Sequence, residues 1–278
     1  MIRSTKQNIR TRIGELPMLS NSAMRLLQCT SDPSHTLTDL TQIVETDSVL
    51  TGKVLQVVNS AAFALPEQVT SIARALSCLG DKTVAGIAIS CSQAEMFHRP
   101  LTGYRGDDAA LWEHSLRTAI AARETAALAR TESGVSADVA YTAGILHDIG
   151  KGVMSEFIGR KLDRILAAVD EHDVDDFRQA ERQKVGFDHC QAGGELARHW
   201  RLPSPFPEVC DWHHEPQRAP AASRALAHVI NVADVVAMMG GSGTGADTLA
   251  YHVAPDYEEY IELTATRLQL LVLRTSEE

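Results

Sequence analysis

One stretch, DVAYTAGILHDIGKGVM from Asp138 to Met154, most constrains what this chain can fold into. Its small and apolar residues recur at helical spacing, and this stripe carries His147 onto the buried face of a helix. Asp148 follows directly, and Lys151 lies four residues after His147. An unpaired buried charge is costly, so these groups must pair with one another or surround a charged ligand. The stretch therefore predicts a buried polar site, in which a metal ion would resolve the conflict.

The composition favours helices and argues against general nucleic-acid binding. Of the 278 residues, 44% are apolar and only 5% are aromatic, which favours closely packed helices over sheets of bulky side chains. The net charge of −10 opposes a general nucleic-acid binder, whose affinity comes largely from Lys and Arg contacts to phosphate. The five scattered cysteines give no disulfide framework and no zinc knuckle, so we interpret them as buried thiols in a reducing compartment. We find no secretory signal and no membrane-spanning apolar run, and expect a cytoplasmic protein.

The order of the segments predicts an all-α fold in two parts. Residues 1–105 are expected to form an N-terminal helical lobe, and residues 106–278 a helical bundle. Strand-like alternation does not persist for more than a few residues in the first part, where polar residues precede apolar helical patterns. The expected N-caps of three helices are Thr36 or Thr38, Asp47 or Ser48, and Ser71. GGSGTGA at 240–246 is expected to be a flexible loop.

Seven side chains of the second part are candidate metal ligands. They are His114, His147, Asp148, His189, His213, His214 and Asp234. They lie on five predicted helices, and helical bundles commonly build metal sites from such inward-facing residues. Imidazole and carboxylate ligands suit one or two divalent transition-metal ions, of Fe, Mn, Zn, Co or Ni. The side chains of neighbours on a helix, such as His147 and Asp148, differ by about 100° in direction. Near a helix end they can still bind the same ion, or each can bind a separate ion of a two-metal site. Glu181 and Asn231 are expected to orient ligands.

The first part of the chain also resembles a known family. The most specific segments are ETDSVLTGKVLQVVNSAAF, from Glu45 to Phe63, and TSIARALSCLG, from Thr70 to Gly80. Both resemble the opening of HDOD signalling domains, and the resemblance continues over about residues 14 to 240. It implies an HDOD-specific lobe followed by an HD-like domain, in a regulatory module that acts on signalling proteins. Since no receiver or cyclase domain fits in this length, such partners are expected to be recruited in trans.

The candidate ligands follow the order of the HD phosphohydrolase superfamily. The matching residues are His114, His147-Asp148 and Asp234, with HD-GYP-like additions at Lys151, His189 and His213-His214. The resemblance implies metal ions that activate water for attack on phosphorus, with Asp148 and Lys151 as catalytic residues and Lys151 binding the phosphate. The chain departs from HD-GYP enzymes after the paired histidines, where EPQRAPAAS replaces the DGxGYPxG-type loop that binds cyclic dinucleotide.

Three functions therefore remain open at the level of sequence. The first is a regulatory HDOD module that retains a metal site and acts through protein partners. The second is an active metal-dependent phosphodiesterase or phosphohydrolase that acts on a nucleotide of the cyclic dinucleotide type. The third is a degenerate HD fold in which the histidines are structural. Lys151 has a corresponding alternative, because it can pair with Asp148 as an i, i+3 neighbour.

Overall fold

The protein is predominantly helical in the computed structural model, which describes residues 2–60, 63 and 65–276. The α-helices are α1 Ile2–Glu15, α2 Asn21–Ser31, α3 Leu37–Glu45, α4 Ser48–Val58, α5 Ile72–Leu79, α6 Asp81–Ser92, α7 Ala94–His98, α8 Ala110–Ala126, α9 Ala137–Leu146, α10 Ile149–Ile158, α11 Leu162–Asp170, α12 Phe177–Val185, α13 His189–His199, α14 Phe206–Trp212, α15 Ala221–Met239 and α16 Ala265–Ser276. The extended pairing among these described residues is one isolated antiparallel bridge, between Ala129 and Ile261. The all-α prediction is confirmed.

Local capping chemistry fixes where the first helices begin. Thr36 caps α3 in a capping box, in which its hydroxyl accepts from the Asp39 amide and the Asp39 carboxylate accepts from the Thr36 amide. The carboxylate of Asp47 caps α4, and the hydroxyl of Ser71 caps α5. Of the alternatives that the sequence left open, the structure therefore selects Thr36 and Asp47.

The central stretch is divided into two helices at the histidine–aspartate pair. His147 closes α9, and Asp148 has φ −105° and ψ 12°, outside helical geometry, before α10 begins at Ile149. In a continuous helix these two neighbouring side chains would diverge by about 100°. The interruption lets both side chains reach the same buried space.

The bundle surrounds this interruption. Helix α8 packs against α9 and α15, while α13 packs against α10 and α14. Helices α8 and α9 approach closely at Gly144, where an added Cβ would lie only 2.5 Å from the Cα of Ala119. Helix α15 is long and apolar enough to cross a bilayer by length and composition, but 72% of its most apolar window is buried in the protein. Core packing therefore accounts for its apolar character.

The N-terminal segments pack onto this bundle at two places. Helix α6 packs against α9 as well as against α2. Helix α1 contacts α10, α12 and α13, and two surface ion pairs accompany that contact. They join Arg10 to Glu195 at 2.7 Å and Arg12 to Glu156 at 3.1 Å. The first helix thus lies against the second part of the chain, and the division at residue 105 stays a prediction.

Replacing Gly150 by alanine should destabilise the fold. A Cβ there would lie 1.9 Å from the carbonyl oxygen of His189, so α10 and α13 would have to separate. We expect a loss of roughly 1–3 kcal/mol in the free energy of unfolding, measured with urea. Gly52→Ala is the matched control, because a Cβ at Gly52 meets nothing within 4 Å. It should be neutral or stabilising by up to about 1 kcal/mol, and equal behaviour of the two variants would contradict the close approach.

Candidate metal centre

Four donor atoms from three parts of the bundle converge on one point. His114 lies on α8, His147 and Asp148 at the α9–α10 junction, and Asp234 on α15. Nε2 of His114 is 3.3 Å from Nε2 of His147 and 3.4 Å from Oδ2 of Asp148. Oδ1 of Asp234 is 3.1 Å from Nε2 of His114 and 3.8 Å from Nε2 of His147. We call these four residues the first cluster.

A second cluster lies on the other side of the Asp148 carboxylate. Its members are His189, Cys190, His213 and His214, at the start of α13 and the end of α14. Oδ1 of Asp148 is 3.6 Å from Nε2 of His189 and 3.5 Å from Nε2 of His213. The two oxygens of Asp148 therefore face the two clusters separately, and the structure brings all seven sequence-predicted ligands together.

Hydrogen bonds on the far side of the rings leave the inner nitrogens unprotonated whenever the rings are neutral. Nδ1 donates in each case, from His114 to Ser242 O (2.9 Å), His147 to Gly144 O (2.8 Å), His189 to Glu181 Oε2 (2.7 Å) and His213 to Cys210 O (3.1 Å). Because backbone carbonyls and carboxylates only accept, Nδ1 carries the proton of a neutral ring and Nε2 presents a lone pair. In neutral rings the lone pairs of His114 and His147 would thus face each other at 3.3 Å, which is unfavourable unless a proton or a metal cation lies between them.

Several inner atoms are buried without a hydrogen-bond partner among the described residues. They include Oδ1 of Asp148, Oδ1 of Asp234 and both ring nitrogens of His214. Buried polar atoms are rarely left without a partner unless an ion or water supplies one. The side chains concerned are at most 2% exposed. Lone-pair donors and carboxylates that share one enclosed space are the chemistry that a divalent transition metal requires.

The carboxylates and histidines shift one another's protonation strongly. Although burial raises the pKa of Asp148, Lys151 and His147 outweigh it and hold that pKa well below its usual range. Burial lowers the pKa of His114, but Asp148 and Asp234 raise it to about 9. Without a metal, protons would therefore compensate part of the negative charge, and a metal must compete with them.

Lys151 is enclosed among acceptors of its own chain. Its Nζ lies 2.7 Å from Oδ2 of Asp148, 2.7 Å from Oδ2 of Asp247 and 2.8 Å from Oγ1 of Thr244. An ammonium group has three donors, so these contacts use all of them. Although burial lowers the pKa of Lys151, Asp148 and Asp247 raise it above its ordinary value. The i, i+3 pairing is present, and the phosphate-binding role stays a prediction.

Of the two residues expected to orient ligands, one contacts a ligand directly. Oε2 of Glu181 accepts from Nδ1 of His189 at 2.7 Å and from its backbone amide at 2.9 Å. The hydroxyl of Tyr104 donates to the other oxygen of Glu181 at 2.5 Å. The amide of Asn231 instead contacts the segment after Tyr251, where its Oδ1 accepts from the amide of Ala254 at 2.8 Å.

The segment from Gly240 to Tyr251 covers the site. Its glycine-rich start was expected to be flexible, yet Thr244 is buried, and the amide of Ala246 donates to the carbonyl of Tyr104 at 2.6 Å. The Tyr251 ring stacks on His214 at a centroid distance of 4.0 Å. Its hydroxyl donates to Oδ2 of Asp247, the partner of Lys151. This segment therefore closes the site.

Sequence reasoning missed three contributors to this centre. Cys190 was interpreted only as a buried thiol, but its Sγ lies 3.4 Å from Nε2 of His189 and 3.9 Å from Nε2 of His213. Its position directly after a candidate ligand was the available signal. Asp247 and Tyr251 had none, because their roles depend on how the covering segment folds back over the bundle.

Solved structures share this fold. An HDOD domain protein of unknown function from Geobacter sulfurreducens is 24% identical, with a TM-score of 0.69 over 98% of this chain and 87% of its own. A candidate signal transduction protein from Marinobacter aquaeolei VT8 is 19% identical, with a TM-score of 0.75 over 99% of this chain and 63% of its own. A candidate metal-dependent phosphohydrolase from Shewanella amazonensis SB2B is 16% identical, with a TM-score of 0.62 over 99% and 96%. At these identities the likeness shows the fold.

Sequence comparison gives the family. An uncharacterized protein of Treponema pallidum (strain Nichols) is 24% identical over 229 residues, which are 82% of this chain. This chain spans only 43% of that protein's length. The profile of the HDOD domain matches residues 16–216, which include every candidate ligand except Asp234. Since this match extends over well more than half of the chain, the protein belongs to the HDOD domain family.

Proposed function

We propose that this protein is a cytoplasmic regulatory module of bacterial signal transduction that acts through protein partners and holds a divalent transition metal. Family membership supports the signalling role, as does the shared fold with the Marinobacter protein. The observation that carries the metal is the convergence of four inward ring nitrogens, of His114, His147, His189 and His213, on the carboxylates of Asp148 and Asp234.

The two clusters define which residues would hold the metal. His114, His147, Asp148 and Asp234 would hold one ion, and the second cluster with Asp148 would hold another. A bound cation would neutralise the buried carboxylates and could act as a Lewis acid. Imidazole and carboxylate donors suit Fe, Mn, Zn, Co or Ni, as the sequence already predicted.

Burial favours regulation over turnover. The inward side chains of the first cluster are at most 2% exposed, and Tyr251 stacks over His214 at the edge of the second. A phosphate ester would have to displace Tyr251 and the segment that carries Asp247, together with the ion pair to Lys151. An ion enclosed in this way stabilises one arrangement of helices, which is the property that a partner-binding module needs.

A second function is supported by one specific observation. The two oxygens of Asp148 face the two clusters separately, so Asp148 would help to hold both ions of a two-metal site, whose ions would activate water and neutralise a phosphate. We therefore retain a metal-dependent phosphodiesterase or phosphohydrolase, with a nucleotide as substrate, as the alternative.

Metal analysis and a turnover assay distinguish these functions. The full chain, loaded with each of the five metals, is incubated with cyclic dinucleotides and with a simple phosphodiester. A regulatory module should contain bound metal and hydrolyse neither compound faster than the Asp234→Ala variant does. Crosslinking in the native cell should join it to signalling proteins. Turnover that Asp234→Ala lacks would support the phosphohydrolase, whereas a chain that binds none of the metals would overturn the metal site altogether.

A further inference from the structure

The sulfur of Cys190 faces two ring nitrogens, at 3.4 Å from Nε2 of His189 and 3.9 Å from Nε2 of His213. When these rings are neutral, each Nε2 carries a lone pair, because Nδ1 donates to Glu181 or to the carbonyl of Cys210. A thiol has one weak S–H donor, so it can satisfy at most one of these two acceptors. The side chain of Cys190 is fully buried, so water cannot replace the missing donor from the surface.

Two further groups point to a ligand in the same space. Oδ1 of Asp148 lies within 3.6 Å of both of these histidine nitrogens and has no hydrogen-bond partner in the described part of the chain. Both ring nitrogens of His214 also lack a partner there, and one of them lies within 4.8 Å of the donor atoms of His189, Cys190 and His213. The space thus brings a sulfur atom together with several polar atoms that lack a hydrogen-bond partner in the described part of the chain.

The distances between these atoms match a tetrahedral ion. Zinc–nitrogen bonds of about 2.0–2.1 Å and zinc–sulfur bonds of about 2.3 Å put neighbouring donors roughly 3.3–3.6 Å apart. The sulfur is 3.4 Å from His189 and 3.9 Å from His213, and Oδ1 of Asp148 is 3.6 Å and 3.5 Å from the same two rings. Each of these four separations therefore lies within a few tenths of an ångström of the range expected for donors of one ion.

We propose that Cys190 is a thiolate ligand of the second metal position, together with His189, His213 and Asp148. This inference rests on the proposed metal site and adds which metals its second position prefers. A thiolate is a soft donor that favours zinc or cobalt over magnesium, calcium and manganese, whereas the first cluster offers only imidazole and carboxylate. The two positions therefore differ in preference, and the second favours zinc or cobalt.

Cobalt substitution tests this assignment directly. A Co²⁺-loaded chain should show a near-ultraviolet sulfur-to-cobalt charge-transfer band in addition to the weaker visible bands. Cys190→Ser should lose the charge-transfer band and keep visible bands from the first cluster. Cys91→Ser is the matched control, because that half-buried free thiol lies on α6, outside both clusters, and its replacement should leave the spectrum unchanged.

The possible failures are distinguishable. Cobalt binding without a charge-transfer band in the unaltered chain would overturn the thiolate ligand and leave the metal site intact. No cobalt binding at all would overturn the metal site itself. A Cys190→Ser chain that has lost its helical circular dichroism is replaced by Cys190→Ala, and zinc competition in that variant should show at least a tenfold weaker second site. An unchanged zinc affinity would again overturn the assignment.

Discussion

Replacing Asp148 by asparagine is expected to remove metal from both positions at once. Its two carboxylate oxygens face the two clusters, at 3.4 Å from His114 and 3.5 Å from His213. Asparagine keeps the shape of the side chain, but it loses the charge and offers one oxygen in place of two. Metal content per chain, measured by mass spectrometry after dialysis, should fall below about a tenth of the native value. Replacing even a residue that only hydrogen-bonds to a metal ligand lowers metal affinity by roughly 10–100-fold.

The control for this variant is Asp163→Asn. The side chain of Asp163 is 88% exposed and pairs with Arg105 at the surface, so its replacement should leave metal content unchanged. If Asp148→Asn retained one ion per chain, the carboxylate would serve a single cluster and the shared arrangement would be wrong. If it retained two, Asp148 would not be a ligand.

Replacing Lys151 by methionine should produce the largest loss of stability in the metal-free chain. The ammonium group is buried between Asp148 and Asp247, at 2.7 Å from each, and methionine would leave both carboxylates without their cation. Removing one partner of a buried ion pair costs about 3–5 kcal/mol. We expect a loss of this size in urea unfolding with a chelator present, so that metal binding does not contribute.

A double variant separates this structural role from phosphate binding. Adding Asp247→Asn to Lys151→Met removes one of the two buried carboxylates that have lost their cation. The double variant should therefore lose less free energy of unfolding than the sum of the losses in the two single variants. Lys161→Met, at a partly exposed lysine, serves as the control for the substitution itself. Strict additivity, or a Lys151→Met chain as stable as the native one, would show that Lys151 does not hold the two carboxylates.

The sequence predicted best what depends on neighbouring residues. Thr36, Asp47 and Ser71 cap helices because capping needs only a side-chain oxygen and an amide two or three residues away. The set of candidate ligands came from their order along the chain, and the all-α fold brings them together. Glu181 was also identified, since a carboxylate in a preceding helix is a common partner of a ligand histidine.

The rest depends on long-range packing that no local pattern encodes. The sequence predicted that His147 and Asp148 lie near a helix end, but it did not predict that a second helix, α10, begins directly afterwards at Ile149. Asn231 was expected to orient ligands, but the position of Ala254 decides which groups it reaches. The same holds for Asp247, which lies about 100 residues after Lys151 and meets it only because the covering segment returns over the bundle.

The distribution of the ligands along the chain also determines how the protein can open. They belong to elements from α8 to α15, so a bound ion joins segments that are remote in sequence. If any one of these elements opened, the chain would lose the binding free energy of the ion as well as the contacts of that element. If the metal is bound, we therefore expect the loaded bundle to unfold more cooperatively than the metal-free bundle. The same few side chains would then determine how much of the chain opens together.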